Sequence, residues 1–116
     1  MPADTTMRQL IGELEAARAA LLDDARTPAI AKLAGRGKLS ARTRIARLVD
    51  KDSFSEIGAL VAGDDEDATA VRAKSPADGV VTGTALIDGR AVMVVAQDFS
   101  VFGGSSGVMG SAKAWV

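Results

Sequence analysis

Residues 79–97 read Gly-Val-Val-Thr-Gly-Thr-Ala-Leu-Ile-Asp-Gly-Arg-Ala-Val-Met-Val-Val-Ala-Gln, and this stretch decides the fold. Residues 79–87 and 90–97 are two runs rich in β-branched and apolar residues, separated by Asp88-Gly89. Asp-Gly between such runs predicts a two-residue hairpin with a type I′ turn, because both turn positions need positive φ and glycine adopts it without strain. That turn pairs Ile87 with Arg90 and Ala85 with Val92. In the second strand, Ala91 to Ala96 are apolar at every position. A strand apolar on both sides is expected inside a sheet, covered on both faces.

On the carboxyl side of the hairpin comes Gln97-Asp98-Phe99-Ser100-Val101-Phe102-Gly103-Gly104-Ser105-Ser106-Gly107, and then residues 108–116, which are expected to open a helix. The sequence stops at Trp115-Val116 without a glycine or asparagine to cap that helix. Two short helices do not supply all the cover such a strand needs, so the expectation is the opening portion of a larger domain.

On the amino side, residues 63–78 are polar, acidic and without periodicity, and predict a solvated loop. Residues 53–61 suit a short strand packed by Phe54, Ile57 and Leu60. Residues 4–50 are predicted helical. Met7, Leu10, Ile11, Leu14, Ala17 and Leu21 form one stripe at helical spacing, with Asp4, Thr5 or Thr6 as its cap. Pro28 marks a break, and Gly35 and Gly37 flank a basic loop. A further helix is expected to start at Ser40 as N-cap, with Ile45, Leu48 and Val49 as its apolar edge. The chain thus divides into 1–62 (helices and a short strand), 63–78 (acidic loop) and 79–116 (hairpin, glycine-rich loop and helix).

Composition narrows the chemistry. The chain has 116 residues, 47% hydrophobic and 25% charged, with a net charge of −1, as in an ordinary globular domain. Residues 1–50 carry nine Lys/Arg against six acids, and the remainder five against nine. That asymmetry is too mild to imply nucleic acid, and 3% aromatic content leaves few stacking platforms. With no Cys and no His, thiolate chemistry, common zinc sites and Ser-His-Asp triads are excluded from this stretch. No signal peptide or bilayer-length apolar run is visible, so no membrane partner is expected and the cytoplasm is the expected location. Gly103 to Gly107 lack G-x-G-x-x-G spacing and no Gly-Lys-Ser/Thr follows, so neither nucleotide fingerprint applies.

Two segments together resemble a known family. One is Gly37-Lys38-Leu39-Ser40-Ala41-Arg42-Thr43-Arg44-Ile45 with Leu48, Asp50, Ser53-Phe54 and Glu56. The other is Asp78-Gly79-Val80-Val81-Thr82-Gly83, then Ile87-Asp88-Gly89-Arg90, then Gln97 to Ser105 and Gly107. Their order and spacing, over about residues 37–113, are similar to the start of acyl-CoA carboxylase carboxyltransferase β subunits of the propionyl-CoA carboxylase type. The family usually has Glu where Thr43 stands, which would complete a capping box with Ser40, so a weaker helix start is expected. Residues 108–112 also depart from the commoner pattern, whereas Lys113 fits a family lysine.

The resemblance implies an α/β, ClpP/crotonase-like fold whose first portion is residues 79–116. It implies transfer of a carboxyl group from carboxybiotin, carried by a biotin carboxylase or biotin carrier partner subunit, to the α-carbon of an acyl-CoA. It also implies homo-oligomers, hexamers in full-length relatives. In the family, two oxyanion holes of backbone N–H groups stabilise the charge that develops on the thioester, and freed biotin takes the proton. Preorganised donors of this kind are worth about 3–4 kcal/mol each. Phe102, Gly103, Gly104 and Ser105 are the substrate-binding candidates, because a strand, glycine turn and helix start aim free N–H groups at an anion. The alternative is that these glycines only make the turn. No catalytic side chain and no metal ligand are assigned. The second glycine-rich segment of the family's site and its other oxyanion hole lie further along, so this stretch alone is expected to be inactive.

Other features have plainer readings beside the functional ones. Arg36, Lys38, Arg42, Arg44 and Arg47 suit either CoA phosphates or a solvated, salt-bridged helix face. Gln97 and Asp98 are either polar site residues or caps of the strand end. Asp64, Asp65, Glu66 and Asp67 match no calcium-loop spacing. The same direction-neutral chemistry serves a decarboxylase of this fold. The alternative to an enzyme portion is a non-catalytic interaction module that docks on full-length carboxyltransferase subunits.

Overall fold

The computed structural model describes residues 5–61, 76–101 and 108–114. In chain order they form α1 (Met7–Ala19), α2 (Thr27–Gly35), α3 (Ala41–Leu48), β1 (Ser55–Ile57), β2 (Val80–Ile87), β3 (Arg90–Gln97) and α4 (Val108–Ala114), with 3-10 turns at Asp23–Ala25 and Pro76–Gly79. The three strands make one antiparallel sheet in the order β1-β2-β3.

The hairpin is as its turn chemistry predicts. Asp88 and Gly89 have φ of 50° and 76°, and Ile87 pairs with Arg90 and Ala85 with Val92. The loop after α3 clasps this turn. The Asp50 carboxylate accepts the N–H groups of Asp88 at 2.9 Å and Gly89 at 2.8 Å, while the Asp50 N–H donates to the Leu86 carbonyl at 2.7 Å. Asp50→Ala strands two turn N–H groups and is expected to lower stability by about 2 kcal/mol in urea unfolding. Asp50→Asn, which keeps one acceptor oxygen, should lose less.

The sheet alternates as a pleat must. On one face Val81, Ala85 and Val94 meet Ala41 and Ile45 of α3, with Val49, Phe54, Val92 and Ala96 packed around them. The opposite face is bare near β3. Met93 is 61% exposed and Val95 53% exposed. The described residues supply only part of the cover expected for β3. It is the edge of the described sheet, and one of its two apolar faces has no cover among the described residues, because α3 reaches only the other.

The helices show how local signals and packing diverge. Thr6 caps α1, with its hydroxyl accepting from the Gln9 N–H and the Gln9 side chain accepting from the Thr6 N–H. This capping box starts a helix of good formers, yet no residue of α1 is buried. Of the predicted stripe, Met7, Ile11 and Leu14 are exposed, and only Leu21, beyond the helix, is buried. Pro28 does not simply break the chain. It sits in the first turn of α2, where its missing N–H costs nothing. α2 is stopped by Gly37, two residues past its end, whose φ is 71°. The N–H groups of Gly37 and Lys38 close back on the carbonyls of Ala34 and Leu33, as in a Schellman cap.

Ser40 caps α3 as predicted, accepting from the Thr43 N–H at 3.0 Å. The expected weakening from Thr43 is compensated from elsewhere. Asp23 Oδ2 accepts from the Ser40 hydroxyl and, at 3.2 Å, from the Thr43 hydroxyl. A carboxylate thus still stands at this helix start, where the dipole favours it. Around β1, Phe54 is half-buried in the core and Leu60 half-buried, but Ile57 is 48% exposed. Of the predicted acidic loop, residues 76–78 form a buried turn rather than a solvated one.

Candidate functional site

The four predicted substrate-binding residues, Phe102, Gly103, Gly104 and Ser105, lie outside the described residues, as do Asp64, Asp65, Glu66 and Asp67. What is described is how the chain on either side of residues 102–107 is held, and both sides are tied to one place.

That place is the turn at residues 77–80. Ala77, Asp78 and Gly79 have consecutive positive φ values of 54°, 48° and 76°, and all three are buried. Two non-glycine residues in the left-handed region persist only where their surroundings hold them. On the incoming side, the Asp98 N–H donates to the Gly79 carbonyl at 2.8 Å. On the outgoing side, Lys113 of α4 donates its ammonium to the carbonyls of Ala77, at 2.9 Å, and Val80. The strand before the glycines and the helix after them are therefore pinned to a common turn.

Asp98 is the organiser of the incoming side. It is buried, at 6% exposure. Its Oδ2 pairs with Arg26 at 3.0 Å and its Oδ1 accepts from the Ser100 N–H at 2.9 Å. Arg26 also donates to the Ser100 hydroxyl at 2.7 Å. Val101 follows, 1% exposed, its N–H bonded to the Asp98 carbonyl. Asp98 is thus a strand-end cap held by an arginine from the start of α2, while Gln97 is exposed. Sequence reasoning missed Arg26, which lies 72 positions from its partner in a stretch with no periodic pattern.

Burial lowers the Lys113 pKa from 10.5, with Glu56 opposing that effect, Arg42 adding to it and Asp78 opposing it. A lysine whose folded pKa is depressed carries the cost of its buried charge at neutral pH and sheds it as pH rises toward 10.5. The urea midpoint of the chain should therefore rise relative to that of Lys113→Met as pH is raised into that range. A pH-independent difference between the two would show that the ammonium is not desolvated.

The basic set is divided. Arg42 makes a bidentate pair with Glu56, at 2.7 and 3.0 Å, and donates to the Leu21 carbonyl at 3.1 Å, so it joins α3 to β1. Arg36 is exposed. Lys38 lies over the Phe99 ring, 4.7 Å from its centroid, and Arg44 and Arg47 border a groove beside β3. Among the described residues no group of three or more His, Cys, Asp or Glu is placed to hold a metal, and no helix is long and apolar enough to cross a membrane.

A helix-backed antiparallel hairpin followed, beyond residues 102–107, by a further helix makes an α/β chain, and comparison with known proteins gives its family. The carboxyl transferase domain family matches residues 33–115. The chain belongs to that family. It is 41% identical over 97 residues to the biotin-dependent acetyl-/propionyl-coenzyme A carboxylase beta5 subunit of Mycobacterium tuberculosis, covering 84% of this chain and 18% of that protein. It is 43% identical over 84 residues to the methylmalonyl-CoA decarboxylase subunit alpha of Veillonella parvula, covering 72% and 16%. Among solved structures it superposes on transcarboxylase 12S, a hexamer with methylmalonyl-coenzyme A and methylmalonic acid bound, with a TM-score of 0.82 and 35% identity over 98% of this chain and 22% of that one. The chain therefore spans about a fifth of the length of these relatives, and its fold is a portion of the crotonase-like carboxyltransferase fold.

Proposed function

We propose that this chain is part of a carboxyltransferase subunit that moves a carboxyl group between biotin and the α-carbon of an acyl-CoA, working in the cytoplasm as an oligomer with a biotin-carrying partner subunit. The observation that carries the reading is the family match over residues 33–115, which takes in the whole glycine-rich segment. Carboxybiotin would supply the carboxyl group. It is treated as a second substrate: among the described residues no buried side-chain polar atom lacks a partner, so none is assigned to hold it.

The contribution of this chain is positional. The role proposed for Phe102, Gly103, Gly104 and Ser105 is to offer backbone N–H groups to the thioester oxygen as negative charge develops there. The turn at residues 77–80 supports this reading, since it fixes where the segment starts and where it ends. Relatives named as carboxylase and as decarboxylase subunits both match, and a hole that binds the developing charge serves either direction.

Replacing the matching segment of the Mycobacterium tuberculosis beta5 subunit with residues 33–115 tests the proposal. With the biotinylated partner and propionyl-CoA, kcat/KM should stay within about tenfold of the parent. Gly104→Val in that chimera should lower kcat by about 100-fold or more, with assembly unchanged in sedimentation. The 116-residue chain assayed by itself should show no turnover. A correctly assembled chimera without activity, or an unimpaired Gly104→Val variant, would overturn the assignment.

A further inference from the structure

Arg26 does more at the end of β3 than an ion pair requires. Its Nη1 donates to Asp98 Oδ2 at 3.0 Å, which already pairs the two charges. Its Nη2 donates to the Ser100 hydroxyl at 2.7 Å. That hydroxyl donates in turn to Asp98 Oδ1, the oxygen that also accepts the Ser100 N–H at 2.9 Å. Ser100 is thus held by three bonds from two side chains that are themselves 14% and 9% exposed. Val101, the next residue, is buried, with its N–H on the Asp98 carbonyl. A planar guanidinium fixes its two acceptors relative to each other, which a single ammonium does not. The arm that presents Arg26 is anchored as well. The Arg26 N–H donates to the Asp23 carbonyl at 3.0 Å, and the Asp23 carboxylate accepts from the Ser40 and Thr43 hydroxyls at the head of α3. Contacts therefore run without a break from α3 to Ser100. Their central residue lies before residue 33, where the family match begins.

We propose that Arg26 is a positioning residue for carboxyl transfer: by holding Ser100 both directly and through Asp98, it sets where the chain enters the glycine-rich segment. The proposal rests on the reading of this chain as part of a carboxyltransferase. Phe102, the first residue given a role at the thioester, is two positions beyond Ser100. Reactions that depend on placement are sensitive at this scale, since a displacement of about 1 Å costs roughly 100-fold in rate. A purely structural ion pair makes a different demand. It needs only opposite charges, so any cation that reaches Asp98 would serve. Positioning needs the link to Ser100 as well.

The test uses the beta5 chimera described above, extended to carry residues 21–115 so that Arg26 and its anchor Asp23 are included. Arg26→Lys keeps a cation for Asp98 and gives up the bond to Ser100. Ser100→Ala leaves the ion pair whole and removes the hydroxyl. Each should lower kcat by about fivefold or more, with KM for propionyl-CoA within about twofold and assembly unchanged in sedimentation. The double variant should be no slower than either single one, because both break the same link. In the full 116-residue chain, the urea midpoints of both single variants should stay closer to the parent than that of Arg26→Ala. An undiminished kcat in Ser100→Ala overturns the proposal even where Arg26→Lys fails to assemble, and so do losses that multiply in the double variant. An inactive parent chimera overturns the carboxyltransferase reading and this proposal with it. An active parent with unaffected variants removes the positioning role alone.

Discussion

Replacing Gly83 with alanine is expected to cost about 3 kcal/mol and to loosen β1 from the sheet. Gly83 pairs with Glu56 where β1 crosses β2. A Cβ there would lie on the Ser55 carbonyl oxygen and 2.7 Å from Phe54 Cε1. The first neighbour is backbone and does not yield without moving the strand. The second is a ring packed in the core beside Ile45 and Val81. Either β1 separates or Phe54 leaves the core, and separation also strains the bond from the Thr82 hydroxyl to the Ile57 carbonyl at 2.8 Å. Urea unfolding gives the cost, and amide exchange of residues 55–57 shows which response occurs. Thr84→Ala, one position along and exposed, should change stability by less than about 0.5 kcal/mol. Equal stability of Gly83→Ala and the parent would sink the close-approach explanation.

Arg26→Ala should be comparably severe, at about 3 kcal/mol or more, through a different cause. The side chains of Arg26 and Asp98 are 14% and 9% exposed. Removing the guanidinium leaves Asp98 buried and charged without its counter-ion, the costly way to break such a pair. Asp98→Asn on that background removes the stranded charge while keeping an acceptor for the Ser100 N–H. The double variant should recover more than half of the loss, and the cycle should give a coupling above about 1 kcal/mol. Additive losses would mean that Arg26 acts by packing alone.

The hairpin was legible because its determinants are adjacent: Asp88-Gly89 sets the turn, and the turn sets the register. Ser40 was legible for the same reason, since an N-cap acts within three residues. Gly83 carried a weaker signal, a glycine inside a strand pattern, which marks close backbone approach without saying by what. The tie between Arg26 and Asp98 had no signal, because opposite charges far apart in sequence meet only once the fold is made. Apolarity on both sides of β3 predicted cover on both faces, yet it records what the strand requires, not which segment provides it. The stripe of α1 misled similarly: helical spacing gave the helix, while burial needs a neighbour that periodicity does not name. Of the candidate site, residues 102–105 lie outside the described residues, and what the structure adds is the turn to which Asp98 before them and Lys113 after them are tied.

The carboxylate of Asp23 at the head of α3 makes positions 23 and 43 interdependent. Placing a glutamate at 43, where it would complete a capping box with Ser40, would crowd a second negative charge against the first around one serine hydroxyl. The two positions are therefore best exchanged together, so that the glutamate works only in a background where residue 23 has already lost its acid.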